Sequence, residues 1–449
     1  MYKNIFCLAI FFCCTFTFAR HLHGQIPLNK MDMKKDTVPS NKMNGMNNHE
    51  MNRMSHSFSR NLPMNRNGSG TGWMPDQSPM YMHMMGNKTM WMFHGNIFIR
   101  YTNQDFFNKG SRGGSGLDAP NWFMVMMQKQ VGRKGLLMAR LMNSLDPLTV
   151  GASGYPLLFQ SGETNNGERL IDHQHPHDLI SELSIGYTYE LNKDADVFGY
   201  AGYPGDPALG PVAFMHRTSA MSNPDAPLGH HWQDATHITF GVTTLGFRYK
   251  NFKIEGSAFN GREPGENRYN FDKASLNSYS YRLSFNPSSQ WALQFSQAYI
   301  KSPERPEPGV NVTRTTASAL FSKMISEKKQ YDAALIWGYN DKSDNHKEHS
   351  VLLEDNYRFG KSIVHFRYEY VQKSSEELDL VADFGDVKFN VHAFTGGFSR
   401  LLFGAQYFEM LGGLQATINF PDKQLKPLYG NIPLAGEVYL QIRPKLHSH

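Results

Sequence analysis

The sequence predicts an all-β fold, a transmembrane antiparallel β-barrel of about sixteen strands with a disordered amino-terminal tail. Three observations point there. From Trp91 onward, about sixteen segments of roughly ten residues are rich in Tyr, Phe, Val, Ile and Thr, many alternating with period two. The connections between them alternate between short turns and long Gly-, Pro-, Asn- and Asp-rich loops, as in barrels with one short-turn face and one long-loop face. After residue 90 no uninterrupted apolar run approaches the roughly twenty residues a membrane helix needs.

Residues 1–24 read as a secretory signal peptide: Lys3 precedes an apolar run from Ile5 to Phe18 that ends at Ala19. Cys7, Cys13 and Cys14 all lie in that run. The exported part is then expected to be cysteine-free, and sheet pairing and packing rather than disulfides must hold it.

Residues 25–90 read as a polar tail too poor in aliphatic side chains to offset the entropy of ordering its backbone. Fourteen of the 24 methionines fall between Met31 and Met92, interleaved with His49, His56, His83 and His94. A thioether is a neutral, polarisable ligand at any pH, and clustered Met favours Cu(I); imidazole also accepts Cu(II). Copper is therefore the expected ligand, at Met80, Met82, His83, Met84 and Met85 and at the nearby His94. A composition-biased linker explains the same stretch without metal.

Residues 91–444 carry the strands. Leu183, Ile185, Tyr187, Tyr189 and Leu191 are predicted to face one way, and Ser184, Gly186, Thr188 and Glu190 the other. Phe366 to Tyr370, Tyr279 to Phe285, Trp291 to Tyr299 and Val438 to Ile442 follow suit, with aromatics near segment ends where a bilayer interface holds them. A soluble β-sandwich or β-solenoid alternates too; the uneven connections favour the barrel. Short turns are expected near Gly132 to Lys134, Asn192 to Asp194, Lys250 to Asn251, Asn286 to Ser289, Glu327 to Lys329 and Gly360 to Lys361, and long loops over 103–120, 145–177, 204–235, 262–276, 302–310, 342–348, 373–388 and 421–436. With sixteen strands both barrel ends lie on the short-turn side, so an outer-membrane barrel would carry its tail in the periplasm.

Among the 19 histidines, Asp172-His173-Gln174-His175-Pro176-His177-Asp178 forms the sharpest cluster. If it is extended, His173, His175 and His177 share a face, enough for Zn²⁺ or Cu²⁺, with the aspartates available to fix tautomers. The next long loop carries Asp206, His216, Asp225, His230, His231, Asp234 and His237, and the two loops are expected to meet over the barrel mouth with a second, divalent metal. A metal-dependent hydrolase built on these residues is one alternative, although no G-x-S-x-G, P-loop or H-E-x-x-H accompanies them. Solvated turn residues are the plainer account of isolated histidines, but three alternating ones between aspartates favour metal or functional use. Arg217, Arg248, Arg262 and Arg268 with Glu255, Glu263 and Glu266 are candidates for the lumen lining. Met124, Met126, Met127, Met138 and Met142 lie on strand candidates and offer an extended thioether path from the tail, although core or lipid-facing packing is the preferred reading for them.

The net charge of +5 is small and unclustered, which argues against a nucleic-acid partner. The signal peptide, the run Met80-Tyr81-Met82-His83-Met84-Met85, the earlier Met43, Met46, Met51 and Met54, and the strand-and-loop remainder together resemble the copper-resistance protein B family of outer-membrane barrels. That resemblance implies copper tolerance by sequestration or passage, and no catalytic residue. Lipid, copper ions and a periplasmic metal carrier or efflux complex are the partners expected from this reading. A general diffusion porin with an incidental tail is the other alternative.

Overall fold

Alternation of side chains decides the architecture. Along Ile180–Asn192, Leu183 and Ile185 are 49% and 54% exposed while Thr188 is 1% exposed. The computed structural model describes residues 55–107 and 110–447. The expected signal peptide and the tail methionines up to Met54 lie outside them.

The strands are β1 (Thr89–Gln104), β2 (Gly114–Asp118, resumed as Asn121–Val131), β3 (Gly135–Asn143), β4 (Ile180–Asn192), β5 (Ala195–Gly202), β6 (Val242–Tyr249), β7 (Phe252–Asn260) and β8 (Leu276–Ser288). They continue as β9 (Trp291–Ile300), β10 (Val312–Ser326), β11 (Lys329–Lys342), β12 (Lys347–Phe359), β13 (Ser362–Ser374), β14 (Lys388–Gly404), β15 (Phe408–Phe420) and β16 (Leu434–Pro444). Each pairs antiparallel with the next. The sheet closes through β1 and β16, from Ile97 opposite Ile442 to Gln104 opposite Ala435. Closure leaves no open edge, and this is what lets strands cross a membrane whose interior offers backbone groups no water.

The outward faces form an apolar surface, with Leu245, Val438, Leu414 and Leu335 all more than half exposed. That surface suits hydrocarbon, and no helix among the described residues is long and apolar enough to cross a membrane. The turns at 132–134, 193–194, 250–251, 289–290, 327–328, 360–361 and 405–407 lie on one side. The long connections lie on the other, except that 343–346 is a four-residue turn where a longer loop was expected. Both barrel ends sit on the short-turn side, where Tyr81 bridges Leu446.

One expectation needs correction. The tail was expected to hang free as far as residue 90, but from Ser55 onward the chain is folded. Residues 55–82 turn into the barrel, and His83–Met85 pairs with the start of β1. The lumen supplies what composition did not suggest: polar walls that satisfy the segment's backbone and a thioether face that buries its methionines.

Candidate functional site: a lumen filled from both ends

Residues 55–82 run along the short-turn rim and send a hairpin inward. Arg66 donates to Asp76 from Nη2 at 2.7 Å and to Asn251 of a short turn at 3.3 Å, and Gln77 donates its N–H to Ser289 O at 3.0 Å. Asn67 bridges Trp73, and the tip between them is glycine-rich because it is crowded. Gly70 has φ +49° and abuts Asp206, so a β-carbon there would collide as well as strain the backbone. Wall cations take the tip's oxygens. Arg140 donates to Gly70 O at 2.6 Å, Arg282 to Thr71 Oγ1 at 2.8 Å, and Lys253 to Thr71 O.

From the long-loop side, residues 203–241 fold inward to meet this tip, where Ala213 donates its N–H to Ser69 Oγ at 2.9 Å. This inward loop touches the wall nearly all round. Ala208 and Gly210 donate N–H groups to Ser257 of β7 and Ser296 of β9, Arg217 donates to Glu354 of β12, and Leu228 donates to Glu369 of β13. On the facing wall, Arg100 of β1, Gln415 of β15 and Tyr439 of β16 donate to Asp225 and Ser222 O. Arg100, Arg217, Arg282, Arg367 and Lys253 are fully buried and paired with carboxylates, while the equally buried Lys373 lies against the ring of Trp232. Of the charged residues expected to line the lumen, Arg217, Arg248, Arg268 and Glu255 are buried, and Arg262 faces solvent.

Between the inward loop and the loop before it the histidines gather as the sequence suggested, with His173 and His216 as exceptions. Rings of His175, His177, His230, His231 and His237 neighbour one another at centroid distances of 5.2 to 6.3 Å. His173 instead bonds Ile171 O through Nδ1 and pairs with Pro156. The cluster is tied to acids: His177 Nδ1 lies 2.7 Å from Asp146, His230 Nδ1 2.5 Å from Asp234, and Arg268 joins Glu163 to Asp178. Burial holds His175 and His230 below the usual imidazole range and takes His237 to about 3. Burial acts on His231 as well, but Glu263 beside it outweighs that and raises it. Among the described residues no group of three or more His, Cys, Asp or Glu is set to hold a metal ion. The neighbouring loop reaches the cluster through Arg268 and through Glu263, 3.5 Å from His231 Nδ1.

The methionines come together elsewhere. Between the inserted segment and the wall lies a cavity of about 90 Å³. The segment gives it Met64, Met74, Met80 and Met82; β1 and β2 give Met92, Met124 and Met126; the inward loop gives Met215 and Met221. His94 and His216 also line it, as do Asn96, Trp122, Tyr81 and Arg443. Of the residues expected to bind metal, Met80, Met82 and His94 face this chamber. Met84 packs against its margin, Met85 stands opposite Trp91, and His83 lies 4.7 Å from the ring of Tyr407. Met64 and Met74 were not singled out within the Met-rich stretch, Met215 and Met221 were not anticipated, and His216 was expected with the loop histidines. They lie far apart in sequence, and only the two insertions bring them together.

Fold and site define a transmembrane β-barrel whose own chain fills its lumen. No family model matches the chain, and no curated protein matches it, so the resemblance drawn from the Met/His run stands on those residues alone. Solved structures similar to it include an anion-selective porin from Comamonas acidovorans, at 12% identity over 79% of this chain and 99% of the other, TM-score 0.49. OmpF of Salmonella typhi in complex with daunomycin is similar at 10% identity over 80% and 100%, TM-score 0.49. The outer membrane channel DcaP of Acinetobacter baumannii is similar at 10% identity over 81% and 99%, TM-score 0.43.

Proposed function

We propose that the protein is an outer-membrane channel of the porin type, held shut by its inserted segment and inward loop and opened when one of them moves. One observation carries this reading: wall cations hold both insertions at main-chain oxygens and through paired charges, beside apolar contacts such as those of Met74 and Val212 in one cluster with Ile336 and Leu352. Arg140, Arg282 and Lys253 bond the hairpin tip, and Arg367 donates to Asp225 O at 2.8 Å. Water can replace the polar contacts at small net free energy, so they leave the insertions free to move where apolar packing is limited. Sixteen strands enclose enough width for an aqueous path once the insertions withdraw. The segment from Ser55 to Met82 is then a working part of the channel.

Planar-bilayer conductance tests this. The refolded chain should conduct little, and a variant with Arg140, Lys253 and Arg282 replaced by Gln should open to a larger, stable conductance. A folded variant that conducts no more than the parent would overturn the channel reading.

A further inference from the structure

The chamber between the inserted segment and strands β1 and β2 is unlike the rest of the lumen. Elsewhere the interior is lined by paired charges and by aliphatic and aromatic clusters; here nine methionines and two histidines surround a space of about 90 Å³. Close-packed interiors leave few voids larger than a water molecule, and flexible Met fills irregular gaps well, so methionines left facing a gap call for an explanation beyond packing. No carboxylate lines the space, and its one cation, Arg443, is engaged by Glu409 at 2.7 Å and lies 3.9 Å over the ring of Tyr81. Its other polar donors are neutral. His94 Nε2 is buried with no hydrogen-bond partner, and His216 lines the same space.

We infer that this chamber is a binding site for a soft monovalent cation, Cu(I) or Ag(I), taken by thioethers of the inserted segment and the barrel wall with His94 or His216 as a nitrogen donor. Thioether and imidazole select soft d¹⁰ ions over Mg²⁺ or Ca²⁺, which need oxygen. A neutral donor set also favours a single positive charge, because a divalent ion would be buried without a counter-charge. Since Met80 and Met82 belong to the inserted segment while Met92, Met124 and Met126 belong to the wall, one ion spanning both would pin the segment in place. The inference is independent of whether the barrel conducts.

The test is anaerobic titration of the purified, detergent-folded chain with Ag(I), and with Cu(I) against a chromophoric chelator, combined with X-ray absorption at the copper edge. The parent should hold metal with sulfur scattering. A triple variant Met92→Leu, Met124→Leu, Met126→Leu, near-isosteric and expected to fold, should lose affinity by about tenfold or more, since even indirect support of a ligand is worth about 10–100-fold. A second variant, Met80→Leu with Met82→Leu, carries the test if the first does not fold. Leu at Met31, Met33, Met43, Met46, Met51 and Met54 should leave this binding intact. Metal bound equally by parent and chamber variants, or lost only when those six residues change, would overturn the inference.

Discussion

Arg217 of the inward loop donates from Nε to Glu354 of β12 at 2.8 Å, with both side chains almost wholly withdrawn from solvent. The same guanidinium donates to Asp234 at 2.7 Å and to Val212 O at 2.9 Å, so one residue fixes both ends of the loop to the wall. Replacing Arg217 by Met leaves two buried carboxylates short of a partner. Breaking a buried pair costs about 3–5 kcal/mol. The lower end is expected, because Arg367 still bonds Glu354 at 3.1 Å and His230 still faces Asp234. Limited proteolysis of the folded barrel should then cut within 203–241, and an unchanged digestion pattern would refute this anchoring role.

Where the two insertions touch, Gly68 packs against Val212 so closely that a β-carbon would meet a Val212 methyl group. Gly68→Ala should therefore push the hairpin outward and raise leak conductance, at the roughly 1–3 kcal/mol typical of overpacking. Val212→Ala removes the obstructing methyls, and the double variant should regain much of the closed behaviour. Additive effects of the two changes would show that the contact does not couple the insertions.

Asp206, beside the hairpin tip, gives a pH dependence. Burial raises its carboxyl to about 7, against the opposing pull of Arg282 and a bond from Ser69, with Glu182 and Asp234 adding repulsion. Between about pH 4 and 7 the folded chain thus holds a proton that the unfolded chain has shed, and stability falls as pH rises through that window, by up to about 1.4 kcal/mol per unit. Asp206→Asn mimics the protonated form. Its heat-unfolding midpoint should exceed that of the parent by more at pH 8 than at pH 5, and an equal offset at both would contradict the assignment.

Period-two alternation made the wall legible in the sequence, since Leu183 to Leu191 answers only to its two nearest environments, lipid and lumen. Turn spacing gave the parity of the barrel for the same local reason. The filling of the lumen was not legible. Residues 55–82 are polar and low in aliphatics, which reads as disorder until a wall supplies partners such as Arg140 for Gly70 O, 70 residues away in sequence. Five of the loop histidines meet across two loops as expected, but Nδ1 of His177 and Nδ1 of His230 turn to Asp146 and Asp234. The thioether chamber was half legible: Met80, Met82 and His94 stood out by density, whereas Met215 and Met221 join them only through the inward loop.

Trp232 is the side chain that seats the inward loop most deeply. It is 0% exposed, the ammonium of Lys373 on β13 lies 4.6 Å from its ring, and its carbonyl oxygen packs on Gly338 of β11, where any β-carbon would run into it. Trp232→Ala would empty a large space and deprive Lys373 of its ring partner, leaving Ser161 Oγ at 3.2 Å as its remaining hydrogen bond. A loss of about 3–5 kcal/mol is expected, with a lower heat-unfolding midpoint. Trp232→Phe keeps a ring for both packing and cation and should restore most of it. Gly338→Ala approaches the same contact from the wall and should dislodge the loop without creating a void. If Gly338→Ala opens the loop to protease as Trp232→Ala does, the seat is one of fit between loop and wall. If Trp232→Ala alone does so, burial of the indole is what holds the loop down.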